Sequence, residues 1–378
     1  MNFEFSEEQL VLQKTARDYL QVNCPMKLVG ELENDKLGYS PAMWKSMTEM
    51  GWLGIVIPEE YGGSGMNFLD LGVLLEEMGR AAVLGPYFST VVLGALPLLD
   101  MGTEEQKKWF LPKIANGELI FTLSLLEPDA RYGAGDVRLK ATPDKESYTL
   151  NGTKLFVPYA HLADYILVVA RTAHKEKGED GITVFVVDAK SRGISHKELK
   201  TMCNDKLCEV IFEDVAVPKQ MILGELDQGW AGIQRAIQRA SVTSCCEMVG
   251  GAQQVLEMTV SYCKQRVQFG RPIGSFQAIQ HYCANMATDI DGARLVTSQA
   301  AWMISQGLKC DLEIAVAKSW TGDVYRRITA MSHQIHGAIG FTMDYNLHFY
   351  SRRAKAAEVT FGDADFWQET IALGIGLS

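Results

Sequence analysis

Three stretches of the 378-residue sequence carry residue types that could do chemistry. Arg266-Val267-Gln268-Phe269-Gly270-Arg271-Pro272-Ile273 closes a long helical pattern with a Gly-containing turn. An arginine so placed can present a fixed guanidinium to a pyrophosphate while Phe269 packs on a flat ring. In Gln334-Ile335-His336-Gly337-Ala338-Ile339-Gly340-Phe341 the glycines let backbone amides approach phosphate closely. Both stretches also read as plain structure, Arg266 pairing with a surface acid and the glycines capping a helix. Glu247 lies in the apolar context Cys245-Cys246-Glu247-Met248-Val249, where desolvation would raise its pKa toward the range of a useful base. Its other reading is a buried glutamate met by an inter-helix hydrogen bond or an arginine. His281, four residues after Gln277, reads as a packed or capping residue. His333 and His336 have a spacing compatible with metal, but no third ligand lies nearby.

These residues need elements to hold them. Ser6 with Gln9 is a capping-box pattern, followed by Leu12, Ala16, Tyr19 and Leu20 at helical spacing, and residues 6–115 read as helical. Gly62-Gly63-Ser64-Gly65 interrupts this block as a flexible loop, after which Phe68, Leu71, Leu74, Leu75 and Met78 restore the stripe. From about 119 to 222 short β-branched runs alternate with turn residues, and Asn151-Gly152 predicts a hairpin turn. Helical periodicity then returns near 231–266, 277–306, 311–335 and 345–358, which favours a four-helix bundle. The expected fold is mainly α with an inserted β-domain, divided as 1–117, 118–225 and 226–378.

Composition narrows the function. With 36 Lys+Arg against 46 Asp+Glu the net charge is −10, which argues against a nucleic-acid or anionic-membrane binder. No apolar run reaches the length of a bilayer span, and MNFEFSEEQL lacks the basic-then-apolar order of a secretory signal. The eight cysteines form no CxxC pair, so neither a disulfide framework nor a zinc site is indicated, and a cytoplasmic location is expected.

Read together, these segments resemble the acyl-CoA dehydrogenase family over essentially the whole chain. The resemblance rests on Gly51-Trp52-Leu53-Gly54-Ile55 with Pro58-Glu59-Glu60-Tyr61-Gly62-Gly63-Ser64-Gly65, on the Arg266 segment with Phe276-Gln277 and His281, and on the Gln334 segment. It implies an FAD-dependent enzyme that removes the α-proton and β-hydride of an acyl-CoA thioester and passes electrons to an electron-transfer flavoprotein. It also implies a tetramer, a dimer of dimers, in which Arg266, Gln268, Phe269, Phe276, Gln277, Gln334, Gly337, Ala338 and Gly340 reach a neighbour's FAD. Placing the Gln334 segment at the cofactor removes the case for a metal at His333 and His336.

The sequence departs from the family pattern where the chemistry would occur. Thr360-Phe361-Gly362-Asp363-Ala364 matches the stretch that usually carries the catalytic Glu-Gly-Thr, so Phe361 occupies the base position. The alternative base position, on the long helix after the β-domain, falls on Ala240. Glu247, seven residues on and on the same helix face, and Asp363 remain as candidate bases; Asp363 reads equally as a helix N-cap. Leu126 precedes Glu127-Pro128, and Phe156-Val157-Pro158 replaces the second group expected to contact the chain's own flavin. Leu and Pro bring no side-chain donor there.

Three functions follow. The first is an FAD-dependent dehydrogenase of a bulky, branched or cyclic acyl-CoA, its pocket shaped by Ala240, Phe361 and Gly362. The second is a partner subunit of a heteromeric α2β2 dehydrogenase, and the third a non-redox CoA-ester enzyme on the same fold. Because CoA and FAD are anionic, a chain of net −10 must concentrate positive charge locally, and Arg266 with Arg271 is where it is expected.

Overall fold

A computed structural model describes residues 5–128, 131–173 and 178–377. In chain order the helices are α1 (Glu7–Asn23), α2 (Met26–Asn34), α3 (Pro41–Glu49), α4 (Phe68–Arg80), α5 (Leu96–Met101) and α6 (Glu104–Ala115). Strands follow: β1 (Phe121–Ser124), β2 (Lys140–Asp144), β3 (Ser147–Pro158), β4 (Tyr165–Arg171), β5 (Ile182–Asp188), β6 (Ile194–Glu198), β7 (Leu207–Pro218) and β8 (Ile222–Leu223). The last third holds α7 (Trp230–Gln265), the short strands β9 (Val267–Gln268) and β10 (Arg271–Pro272), then α8 (Gln277–Ser305), α9 (Asp311–His336), α10 (Leu347–Val359) and α11 (Ala364–Gly374). A β-domain is thus flanked in sequence by helical segments. Among the described residues no helix is long and apolar enough to cross a membrane.

Two compact units emerge, one of Met1–Glu31, Asn67–Val83 and Ser241–Ser378, the other of Leu32–Met66 and Leu84–Ala240. In the first unit the Ser6–Gln9 capping box opens α1 as expected. Gln9 donates to Asp70 at 2.8 Å, and Arg17 makes two hydrogen bonds to Glu77 at 2.9 and 2.6 Å, fixing α1 on α4. Helices α4 and α7 approach through glycine. A Cβ on Gly79 would fall 2.1 Å from the Glu247 carbonyl oxygen, and one on Gly250 1.8 Å from that of Glu76. Helices α8, α10 and α11 all pack on α9. Periodicity had not predicted α11, a short helix entered through a Gly-Asp turn.

In the second unit the sheet runs β6-β7-β3-β2-β4-β5-β8, with β1 parallel to β4. Leu139, Leu150, Val168, Phe185, Val210 and Phe212 are among the side chains that fill its core. Two expectations are corrected here. Asn151-Gly152 is not a hairpin turn. The turn lies at Lys145-Glu146, with Lys145 at φ 43°, and β3 runs on through Asn151-Gly152 as a bulge against β7. The residue types that suit a turn suit a bulge equally, because both need unusual backbone angles. Nor is Gly62-Gly63-Ser64-Gly65 loose. Ser64 N–H donates to Gly54 and Gly65 N–H to Ile57, both at 2.9 Å, and a Cβ at Gly63 would meet the Ile57 carbonyl at 2.0 Å.

Candidate active site

Beyond the last turn of α7 the chain leaves the helix as a two-residue hairpin. Phe269 (φ 52°) and Gly270 (φ 79°) are both left-handed, the signature of the tight turns whose twist matches paired strands, and Gln268 pairs with Arg271. The Arg266 carbonyl accepts from Ile273 N–H at 2.8 Å, closing the hairpin base. Arg266 and Gln268 are exposed, and Phe269 is 91% exposed. The Arg271 guanidinium lies 4.2 Å from the Phe276 ring centre, and that ring meets Phe269 edge-on at 6.0 Å. Exposed Gln277 then opens α8.

The Gln334 segment lies beside this arm. Tyr262, whose carbonyl accepts from Arg266 N–H at 2.8 Å, stacks on His336 at 4.4 Å. His336 is further held by Tyr345 Oη at 2.9 Å from Nε2 and by the Ser332 carbonyl at 2.8 Å from Nδ1, while His333 stacks on Phe341. Both imidazoles are thus occupied in packing. Gln334, Gly337 and Ala338 are exposed, and Gly340 is buried against His336. His281 is exposed on α8 rather than packed.

In the second unit Leu126 and Phe156 are brought together, since Leu155 N–H donates to the Leu126 carbonyl at 2.8 Å. A second bulge in β3 between Lys154 and Val157 puts Phe156 at φ 55° and leaves its ring 52% exposed. Pro158 accepts from the Thr122 hydroxyl at 2.6 Å. Beneath lies a pair that the sequence reading missed. Lys154 Nζ, fully buried, donates to Glu127 at 2.7 Å and to the Leu125 carbonyl at 2.9 Å. Glu127 also accepts from the N–H groups of Arg138 and Leu139. Burial draws the Lys154 ammonium down to about 8, against the opposing pull of Glu127. The pair fixes the backbone that presents Leu126 and Phe156.

Phe361 and Gly362 form the corner between α10 and α11, with φ of 61° and 96°. The Phe361 carbonyl accepts from Trp367 Nε1 at 3.0 Å. Asp363 is exposed and accepts from Phe366 N–H at 3.0 Å, so its carboxylate serves as the N-cap of α11. Lys318 of α9, also missed, is buried under this corner and donates to the carbonyls of Ala357, Glu358 and Gly362 at 3.1, 3.0 and 2.8 Å.

Ala240 is fully buried within α7. Glu247 is partly buried where α7 crosses Gly79 of α4, and burial pushes its carboxyl up to about 8, partly offset by Arg353 of α10. Seven residues of helix separate it from Ala240 by about 10 Å along the axis. The arm and the Gln334 turn therefore come together, as do Leu126, Phe156 and Pro158, but neither candidate base coincides with an expected base position.

Comparison with known proteins fits this arrangement. Family models for the N-terminal, middle and C-terminal domains of acyl-CoA dehydrogenase match residues 6–118, 122–215 and 227–375. The chain belongs to the acyl-CoA dehydrogenase family, FAD-dependent oxidoreductases that act on acyl-CoA. It is 33% identical to a 3-(aryl)acrylate reductase of Clostridium sporogenes, over 97% of this chain and 98% of that one. It is 32% identical to the caffeyl-CoA reductase-Etf complex subunit CarC of Acetobacterium woodii, over 97% and 98%. A chain in the ChsE4-ChsE5 complex of Mycobacterium tuberculosis superposes with a TM-score of 0.91 at 26% identity, covering all of both chains.

The residues fit FAD unevenly. The exposed Arg266 guanidinium, the Phe269 ring and the amides around Gly337 and Ala338 suit a pyrophosphate and an adenine. Leu126, Phe156 and Pro158 offer no side-chain hydrogen-bond donor to a flavin ring.

Proposed function

We propose that the chain works in α,β-dehydrogenation of a CoA thioester with a bulky acyl group, as the subunit of a heteromeric α2β2 assembly that completes a cofactor site whose base another polypeptide carries. The observation behind this reading is the missing carboxylate. Phe361 and Ala240 cannot take a proton, Asp363 is committed to its cap, and Glu247 lies about 10 Å along α7 from Ala240. The cofactor-facing arm, by contrast, is intact and exposed.

In this reading Arg266 and the amides of Gly337 and Ala338 hold pyrophosphate charge, Gln268, Gln277 and Gln334 add hydrogen bonds, and Phe269 with Phe276 forms an adenine platform. Bound FAD supplies the hydride acceptor. An apolar acyl wall at Phe361 belongs instead to the second, self-sufficient reading. Relatives named for aryl acrylate and caffeyl-CoA support a bulky acyl group, and the Etf complex of the latter supports an electron-transfer flavoprotein as the partner in electron exchange. The ChsE4-ChsE5 complex supports a two-polypeptide assembly. The domain division 1–117, 118–225 and 226–378 belongs to the same proposal.

The raised carboxyl of Glu247 favours a second reading, a self-sufficient homotetramer with Glu247 as base. Purifying the chain alone, and with a homologous chain carrying Glu-Gly-Thr, separates the two. The heteromeric reading expects flavin absorbance and dehydrogenase activity only in the mixed preparation. One FAD per chain with activity in the single-chain preparation overturns it.

A further inference from the structure

The geometry points to Lys318 as the positioning residue that sets acyl-group selectivity, by clamping the α10–α11 corner from which Phe361 projects. This inference rests on the self-sufficient reading, in which Phe361 stands in the acyl wall. Lys318 sits in α9 with 1% of its surface exposed, and its three hydrogen bonds reach Ala357 and Glu358 at the end of α10 and Gly362 in the corner itself. A cation at a helix C-terminus faces the negative end of the helix dipole, so the contact with α10 is favourable beyond its hydrogen bonds.

The corner needs such a clamp. Phe361 occupies a left-handed conformation, one that bulky side chains adopt only when their surroundings enforce it. Gly362 follows at φ 96°, where a Cβ would lie 2.4 Å from the Phe366 ring, so the corner cannot relax by moving toward α11. Lys318 holds the Gly362 carbonyl from one side, and Trp367 Nε1 holds that of Phe361 from the other. With both carbonyls fixed, the Cα–Cβ bond of Phe361 keeps one direction, and the ring is confined to the rotamers that start from it.

The titratable groups that act on this ammonium electrostatically are Cys245 on α7, Asp363 at the start of α11 and Glu358 on α10. None is hydrogen-bonded to Nζ in place of the carbonyls. The ammonium therefore works as a three-way backbone tie.

The test measures binding of cyclohexanecarboxyl-CoA and butyryl-CoA by calorimetry to the assembled protein, comparing wild type, Lys318→Met, Lys318→Gln and Phe361→Ala. The readout is the ratio of the two dissociation constants, which cancels changes common to every CoA ester. Lys318→Met should shift that ratio about tenfold, worth about 1.4 kcal/mol, and Lys318→Gln, which keeps two donors, should shift it less. If Lys318→Met does not fold, Lys318→Gln carries the test. A ratio that moves in Phe361→Ala but in neither foldable Lys318 variant overturns the clamp while leaving the Phe361 wall standing. A ratio unmoved by Phe361→Ala removes the wall, and with it the inference.

Discussion

Lys154 and Lys318 are both buried in full, and burial draws both ammonium groups down to about 8, yet they are held in opposite ways. Lys154 has a carboxylate, Glu127, at 2.7 Å, itself tied to two backbone N–H groups. Lys318 has only carbonyls, three of them around a helix end. In an ion pair, loss of one member strands a charge in a medium that solvates it poorly; in a carbonyl cage, loss of the cation leaves neutral acceptors. Each lysine also underlies a place where the sequence departs from the family pattern, Leu126 with Phe156 in one unit and Phe361 in the other. Backbone supports and the side chains they present are separable, and here the supports are present where the presented residues depart from the family pattern.

The sharpest break of this comparison is Lys154→Met. It strands Glu127 and should cost about 3–5 kcal/mol in urea unfolding. Replacing Glu127 and Lys154 together by Gln and Met should cost much less than the two single changes summed.

A partly buried carboxyl of the first unit sharpens the contrast through pH. The Glu247 carboxyl is raised from 4.5 to about 8, so the folded state keeps a proton that the unfolded chain releases. Its contribution is fully present below about 4.5 and lost as pH rises toward 8, a slope of a few kcal/mol across that window. Glu247→Gln should flatten the dependence of the melting midpoint between pH 5 and 8. In the heteromeric reading it leaves turnover of the assembly unchanged.

Next is Lys318→Met. Three carbonyls lose a donor but no charge is stranded, so the expected loss is about 1–3 kcal/mol, below that of Lys154→Met. An equal or larger loss would erase the distinction between pair and cage. Asp363→Ala removes an N-cap and should cost about 1 kcal/mol, whereas Asp363→Asn should keep both cap and turnover. A collapse of turnover in Asp363→Asn would restore that residue as a base. Smallest in stability is Phe269→Ser, within about 0.5 kcal/mol because the ring contributes little buried area, although flavin retention by the assembly should fall.

Much of the fold was legible because long amphipathic helices advertise themselves. The patterns near 231–266, 277–306 and 311–335 lie within a residue or so of α7, α8 and α9. The strands of the β-domain were legible as runs, but their turns were not, since Asn151-Gly152 serves a bulge as readily as a hairpin. The arm was legible through Phe269-Gly270, whose residue types imply a turn. The supports beneath the site were hidden because lysine ordinarily reads as a solvent-facing residue. A signal existed for each. Lys318 lies on the same helical stripe as Ile314, Ala315, Thr321 and Gly322, all buried, and Lys154 follows Tyr148 and Leu150 on the inward side of β3. A charged residue on an apolar stripe implies a partner, but sequence does not say whether that partner is a carboxylate or a helix end.

The Phe269-Gly270 hairpin carries a consequence for genetics. An arm that serves a neighbouring subunit separates, within one polypeptide, the defect a mutation causes from the active centre that suffers it. In the self-sufficient homotetramer reading, two damaged copies of the gene, one altered at Arg266 or Phe269 and the other in its own catalytic pocket, would restore function when expressed together, because mixed assemblies contain some centres built from two sound halves; in the heteromeric reading they would not. A hairpin that served only its own chain would give no such complementation.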